Sequence, residues 1–150
     1  LITRTGKINS ILLNELNELD FYQQKFPKSL GFEFVKEIVL PIIEKYTIPI
    51  EDKLRTFTEH IALQTALALP NKNGSMLATG GGAYNDFLME RIQANVPEMK
   101  IIIPSSKILE YKEALRFALL GVLKLRNEIN ALSSVTGATM DHSSGIIFPK

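Results

Sequence analysis

Apolar residues recur at three- and four-residue intervals along most of this chain, separated by short stretches rich in Pro, Gly and Asn. Ile11, Leu12, Leu16 and Leu19, with Asn14, Glu15, Asn17 and Glu18 between them, predict an amphipathic helix over Asn9 to Leu19. Phe26-Pro27-Lys28-Ser29-Leu30-Gly31 predicts a loop, with Phe26 extended ahead of the proline and Ser29 placed to cap a second helix. That helix uses Val35, Ile38, Val39, Ile42, Ile43 and Tyr46. Pro41 falls inside its pattern, where the ring and missing N–H predict a kink. A third helix follows Pro49, carries Glu51 and Asp52 at its positive end, and continues through Leu54, Phe57, Ile61, Thr65 and Ala68 until Pro70.

Beyond the turn Asn71-Lys72-Asn73-Gly74 the period changes. Met76 to Thr79 predicts a short buried strand, Asp86 to about Asn95 a helix burying Phe87, Leu88 and Ile92, and Lys100 to Ile103 a second strand closed by Pro104. A long helix is predicted from about Ile108 to Arg126. Strands alternating with helices define an α/β class with a small parallel sheet under a helix-rich cover. Two strands are few for 150 residues, since parallel pairs normally lie inside larger sheets. The rest of the sheet is therefore expected outside this sequence, in keeping with a first residue that is Leu, and apolar helix faces and a sheet edge are expected to be exposed. No repeat or composition shift divides residues 1–150, which read as a single unit.

The stretch richest in chemistry is Ser75 to Asp86, where an apolar strand runs into Gly80, Gly81 and Gly82 and then into Asn85 and Asp86. Glycines let a flat ligand or a phosphate approach the main chain, and a helix start capped by Asn presents N–H groups to an anion. The same residues also make an ordinary tight strand-to-helix turn. The spacing matches neither the dinucleotide-binding Gly-x-Gly-x-x-Gly nor the Gly-Lys-Ser/Thr phosphate loop. In the long helix, Glu113, Phe117 and Leu120 share one stripe, which puts a carboxylate beside apolar side chains. Such a group can accept a hydrogen bond from a ligand hydroxyl or act as a base, and it can equally form a surface pair with Arg116. His60 and His142 lack a second metal ligand at helical spacing and read as structural or solvated. Ser133, Ser134 and Thr136, ahead of Gly137, can serve a sugar or their own backbone.

Composition narrows the choices. Seventeen Lys and Arg against sixteen Asp and Glu leave a net charge of +1 without a run of one sign, which argues against a nucleic-acid or membrane-surface partner. The absence of cysteine excludes disulfides and thiol chemistry, and with no export signal the expected location is cytoplasmic.

Five stretches, taken together and in order, resemble the C-terminal part of the anhydro-N-acetylmuramic acid kinases, sugar kinases of the actin, hexokinase and heat-shock ATPase superfamily. They are Pro27 to Gly31, the Asp52 to Ala62 helix with Thr56, Gly80-Gly81-Gly82-Ala83-Tyr84-Asn85, Glu113 to Ala118, and Ser134 to Ala138 followed by Gly145 to Pro149. The resemblance implies the C-terminal lobe of an actin-like (ribonuclease H-like) fold, with ATP and Mg²⁺ in a cleft between two lobes. It also implies opening of a 1,6-anhydro ring with phosphorylation at the 6-position. On that basis Gly80, Gly81, Gly82 and Asn85 lie against the adenosine, Glu113 contacts the amino sugar, and a homodimer is among the assemblies allowed. The family's catalytic Asp and its phosphate loops, in the N-terminal lobe, have no counterpart here, so no catalytic residue is expected in this chain and the chain alone is expected not to turn over substrate. It departs from the family pattern at Tyr84, where many members carry His, and at Tyr111, where many carry Trp. Kinases of another amino sugar, and a nucleotide-binding module without chemistry, are the alternative readings.

Overall fold

Asn9 caps the first helix: in extended conformation, its Oδ1 accepts the Leu12 N–H at 2.9 Å and starts α1 (Ser10–Asn17), which ends two residues short of the expected Leu19. The computed structural model describes residues 2–25 and 28–148, which form two compact units. One contains the described residues of Leu1–Gln24 and Leu30–Ser105, the other those of Lys25–Ser29 and Ser106–Lys150. The geometry predicted for Phe26 and Pro27, and Pro149 of the last stretch, lie outside the described residues.

In the first unit, α1 is followed by α2 (Asp20–Gln23) and then by α3 (Phe32–Phe34), a π turn (Val35–Val39) and α4 (Leu40–Glu44). Ser29 does not cap α3. The residue at the cap position is Gly31, with no side-chain bond, because a cap must immediately precede the first helical residue and Ser29 lies two positions too early. The distortion expected at Pro41 takes the form of the π turn. The Leu40 N–H reaches the Val35 carbonyl five residues back, a widening that accommodates a proline with no N–H to donate. Val39 and Ile42 are buried while Ile38 stays exposed.

α5 (Ile50–Ala68) begins after Pro49 and ends at an extended Leu69 before Pro70. Its buried face corrects the expectation. Thr56, Thr58, Glu59, His60, Ala62 and Ala66 are buried, whereas Leu54 and Ala68 are exposed. Polar groups occupy the inner face because each finds a partner there. Thr56 donates to the Asp52 carbonyl at 2.7 Å and accepts the Asn9 N–H at 2.9 Å, and Thr58 donates to the Leu54 carbonyl at 2.8 Å. Asp52 accepts the Lys7 N–H at 2.7 Å, so residues 6–9 lie against α5. At Gly6 a Cβ would fall on the Glu51 carbonyl and 2.9 Å from Arg55 Cβ. Gly6→Ala is expected to cost about 1–3 kcal/mol, with a falling urea midpoint at unchanged m-value as the readout; an unchanged midpoint would show that this segment shifts freely.

β1 (Gly74–Leu77) and β2 (Met99–Ile102) form a two-stranded parallel sheet in register Gly74↔Met99 to Leu77↔Ile102. They are joined through a 3-10 turn (Gly81–Tyr84) and α6 (Asp86–Asn95), whose bounds match the sequence expectation. Ala62 and Ala66 of α5, Ile92 and Val96 near the end of α6, and Met99 of β2 make one core. Leu12, Leu16, Val39 and Ile42 make another. The opposite sheet face leaves Leu77 and Ile102 exposed.

The second unit is built on α7 (Ser106–Leu125), with a short α8 (Ser133–Thr136) closed by left-handed Gly137 and an antiparallel bridge Ala131↔His142. Tyr111, Leu115, Phe117, Leu119, Val122 and Leu125 of α7 are all exposed. Among the described residues no helix is long and apolar enough to cross a membrane.

Candidate functional site

The carboxyl end of β1 delivers the chain directly into the glycine turn. Gly80 has φ +91° and ψ 177°, a conformation essentially restricted to glycine, and its carbonyl accepts the Ala83 N–H at 3.0 Å to begin the 3-10 turn. Gly81 and Gly82 take no such conformation. A Cβ on Gly81 meets nothing within 4 Å, and one on Gly82 meets only Leu88 Cδ2, at 3.9 Å. Packing therefore does not require glycine at these two positions, and both are exposed, so the main chain is open to a ligand from outside. Ala83 is buried beneath the turn and anchors it. The Asn85 carbonyl accepts the Met89 N–H at 3.0 Å and its Oδ1 accepts the Leu88 N–H at 3.2 Å, so the predicted cap of α6 is formed.

α6 is held along its length by groups that no local pattern singled out. Glu59 of α5 accepts both Arg91 Nε at 2.7 Å and Arg91 Nη2 at 3.1 Å, together with Arg55 Nη1 at 3.2 Å and Asn95 Nδ2 at 3.3 Å. Burial alone pushes this carboxyl up, but the hydrogen bonds of Arg91 and Asn95 and the two guanidinium charges hold it below the usual carboxylate range. Arg4 and Arg55 also place their guanidinium carbons 4.7 and 4.9 Å from the ring centre of buried Phe87, the second residue of α6, and Arg4 pairs with Glu90. The Arg55–Glu59 spacing of four was the one readable signal; the partners on α6 come from across the fold.

His60 is structural, as its isolation in the sequence implies. It is 1 % exposed, with Nδ1 2.7 Å from Asn17 Oδ1 and Nε2 2.9 Å from the Tyr22 hydroxyl, and Gln64 donates to the same Asn17 oxygen at 3.0 Å. His142 is exposed beside the Met140 carbonyl.

In the second unit Glu113 lines a shallow depression of about 290 Å³ with Arg116, Phe117 and Leu120. The stripe read from the sequence is therefore real, and Glu113 is exposed on it. A neighbouring cavity of about 610 Å³ continues along α7 past Gly121 and Lys124 to Ser144 to Ile147. The Ser133 and Thr136 hydroxyls of the Ser133 to Ala138 stretch serve nearby groups of the same segment. Thr136 donates to the Leu132 carbonyl at 2.9 Å, and Ser133 gives both its N–H and its hydroxyl to Asp141 at 2.7 Å, which holds that carboxyl below its ordinary value.

Residues 74–102 form a parallel strand–turn–helix–strand unit with an open glycine turn following its first strand, the end of the strand at which α/β proteins commonly bind ligands. A family model described as anhydro-N-acetylmuramic acid kinase matches residues 2–150. The chain is 36% identical over 161 residues to a protein of that name from Mannheimia succiniciproducens, covering 98% of this chain and 43% of the relative. Proteins of the same name from Vibrio vulnificus and Hahella chejuensis are 31% and 32% identical, covering 97% and 99% of this chain and 41% and 42% of the relatives. The chain belongs to the anhydro-N-acetylmuramic acid kinase family. It spans about two fifths of the length of these curated relatives.

Proposed function

We propose that this chain is the C-terminal lobe of an actin-like sugar kinase, cytoplasmic, that transfers phosphate from ATP to 1,6-anhydro-N-acetylmuramic acid while opening the anhydro ring to give N-acetylmuramic acid 6-phosphate. The observation that supports this reading is the glycine turn: Gly81 and Gly82 have no internal packing reason to be glycine, and they follow the carboxyl end of a parallel strand with their main chain open to the outside. In this reading Gly80 shapes the turn, Gly81 and Gly82 let the adenosine approach, and Asn85 fixes the helix start beside it. Glu113 contacts the sugar, positioned by the apolar side chains along its stripe.

Among the described residues no group of three His, Asp or Glu side chains converges on a metal site. In this reading the chain's part is to hold nucleotide and sugar, with Mg²⁺ arriving on the ATP phosphates and the water-activating Asp supplied by the other lobe. Phosphoryl transfer depends on positioning and on clamping charge, so one lobe is expected to be inactive alone.

The test is phosphate transfer from Mg-ATP to 1,6-anhydro-N-acetylmuramic acid by the full-length protein, its Gly81→Val variant and the 150-residue chain. Activity is expected in the full-length protein only, with Gly81→Val raising KM for ATP by about tenfold or more while stability changes by less than about 0.5 kcal/mol. Unchanged ATP kinetics in a folded Gly81→Val protein would remove the turn from the nucleotide site. A folded full-length protein that phosphorylates only other amino sugars would reject the substrate.

A further inference from the structure

The turn into β1 carries a chemical feature separate from any ligand site. Asn73 is the one asparagine of the nine in the sequence that is followed by glycine. Residues 71–75 are all exposed. Gly74 is the first residue of β1, with φ +101° and open space where a Cβ would stand. The end of a strand is where a ladder opens most readily, so the Gly74 nitrogen is released by fraying of a single residue rather than by unfolding. Glycine also lacks the side chain that would otherwise shield that nitrogen. Several other asparagines are restrained: Asn9 and Asn85 hold helix N–H groups, Asn17 is bonded to His60 and Gln64, and Asn95 to Glu59 and the Arg91 carbonyl.

We infer that Asn73–Gly74 is a site of spontaneous deamidation in the folded protein. The Gly74 main-chain nitrogen, after losing its proton, attacks Asn73 Cγ. A C–N bond forms, the side-chain nitrogen leaves as ammonia, and a five-membered succinimide results. Water then opens the ring at either carbonyl, breaking one C–N bond and giving aspartate or isoaspartate. One water is consumed for each ammonia released, and nothing is oxidised or reduced. The products place a negative charge, and in the iso form an additional main-chain carbon, at the head of the strand that leads to Gly80.

The full-length protein is incubated folded at mildly alkaline pH, alongside its Asn73→Gln variant and a free peptide of residues 70–78, and the conversion is followed by peptide mapping and isoaspartate labelling. Within residues 1–150 Asn73 is expected to convert before every other asparagine, at a rate within about tenfold of the free peptide, and the isoaspartate at position 73 is expected to vanish in Asn73→Gln. Earlier conversion at any other asparagine of these residues would overturn the inference. So would a rate at Asn73 more than about tenfold below that of the peptide, since it would mean that the strand end holds the nitrogen closed.

Discussion

Replacing Glu59 by alanine is expected to cost about 3–5 kcal/mol of folding stability, because it leaves Arg55 and Arg91 facing a buried space with no counter-charge. The carboxylate is 8% exposed, against 15% for Arg55 and 30% for Arg91, so water can compensate Arg91 in part but not Arg55. Glu59→Gln, which keeps the shape and an acceptor oxygen, is expected to cost less. Glu59→Ala combined with Arg91→Met should recover part of the loss, since a buried charge whose partner is gone costs more than an apolar replacement of both. Urea unfolding of the wild type and these three variants measures all of this. A loss below about 1 kcal/mol for Glu59→Ala would mean that the bonds are those of a solvated surface pair and that α5 does not hold α6 through them.

Acid is expected to weaken the fold through His60. Burial pushes its pKa down to about 4 from an ordinary 6.5, because the ring is surrounded by Tyr22, Asn17, Gln64 and Phe57 and none of these supplies a negative charge. The unfolded chain therefore binds a proton that the folded chain refuses. Stability from this group is fully present above about pH 6.5, falls as pH drops through the window to about 4, and amounts to about 3 kcal/mol across it. Protonation would also place a donor at Nε2, the nitrogen that accepts from the Tyr22 hydroxyl when Nδ1–H faces Asn17. Urea midpoints of wild type and His60→Gln compared from pH 7 to pH 4.5 isolate the effect from that of the carboxylates, which both proteins share. Parallel pH profiles for the two would show that His60 is solvated in the folded state.

The helices were legible because their apolar period is strong, and the Asn85 cap because its chemistry is local. The buried face of α5 was not, for a physical reason. Hydropathy assigns Thr56, Glu59 and His60 to solvent, yet each is desolvated against a partner distant in the chain, and Glu59 meets Arg91 across 32 residues. Ala62 and Ala66, too small to dominate a periodicity, mark the close approach of α6. At Pro41 the sequence identified a conflict without showing its resolution, because a π turn and a kink relieve the same crowding. Of the candidate site, the glycine turn could be located but not interpreted. What the structure adds is that Gly80 is required by the backbone whereas Gly81 and Gly82 are not.

The parallel register of β1 and β2 also constrains how the chain reaches this state. Antiparallel neighbours can zip from a short hairpin, but Gly74 meets Met99 only after the whole glycine turn and α6 have been laid down between them. The entropy of closing that excursion is lost before any ladder bond returns it, so docking of α6 on α5 is expected to precede strand pairing. During biosynthesis the nascent chain therefore carries β1 unpaired for the time it takes to complete the crossover, and in that interval the strand is open to pairing with other chains.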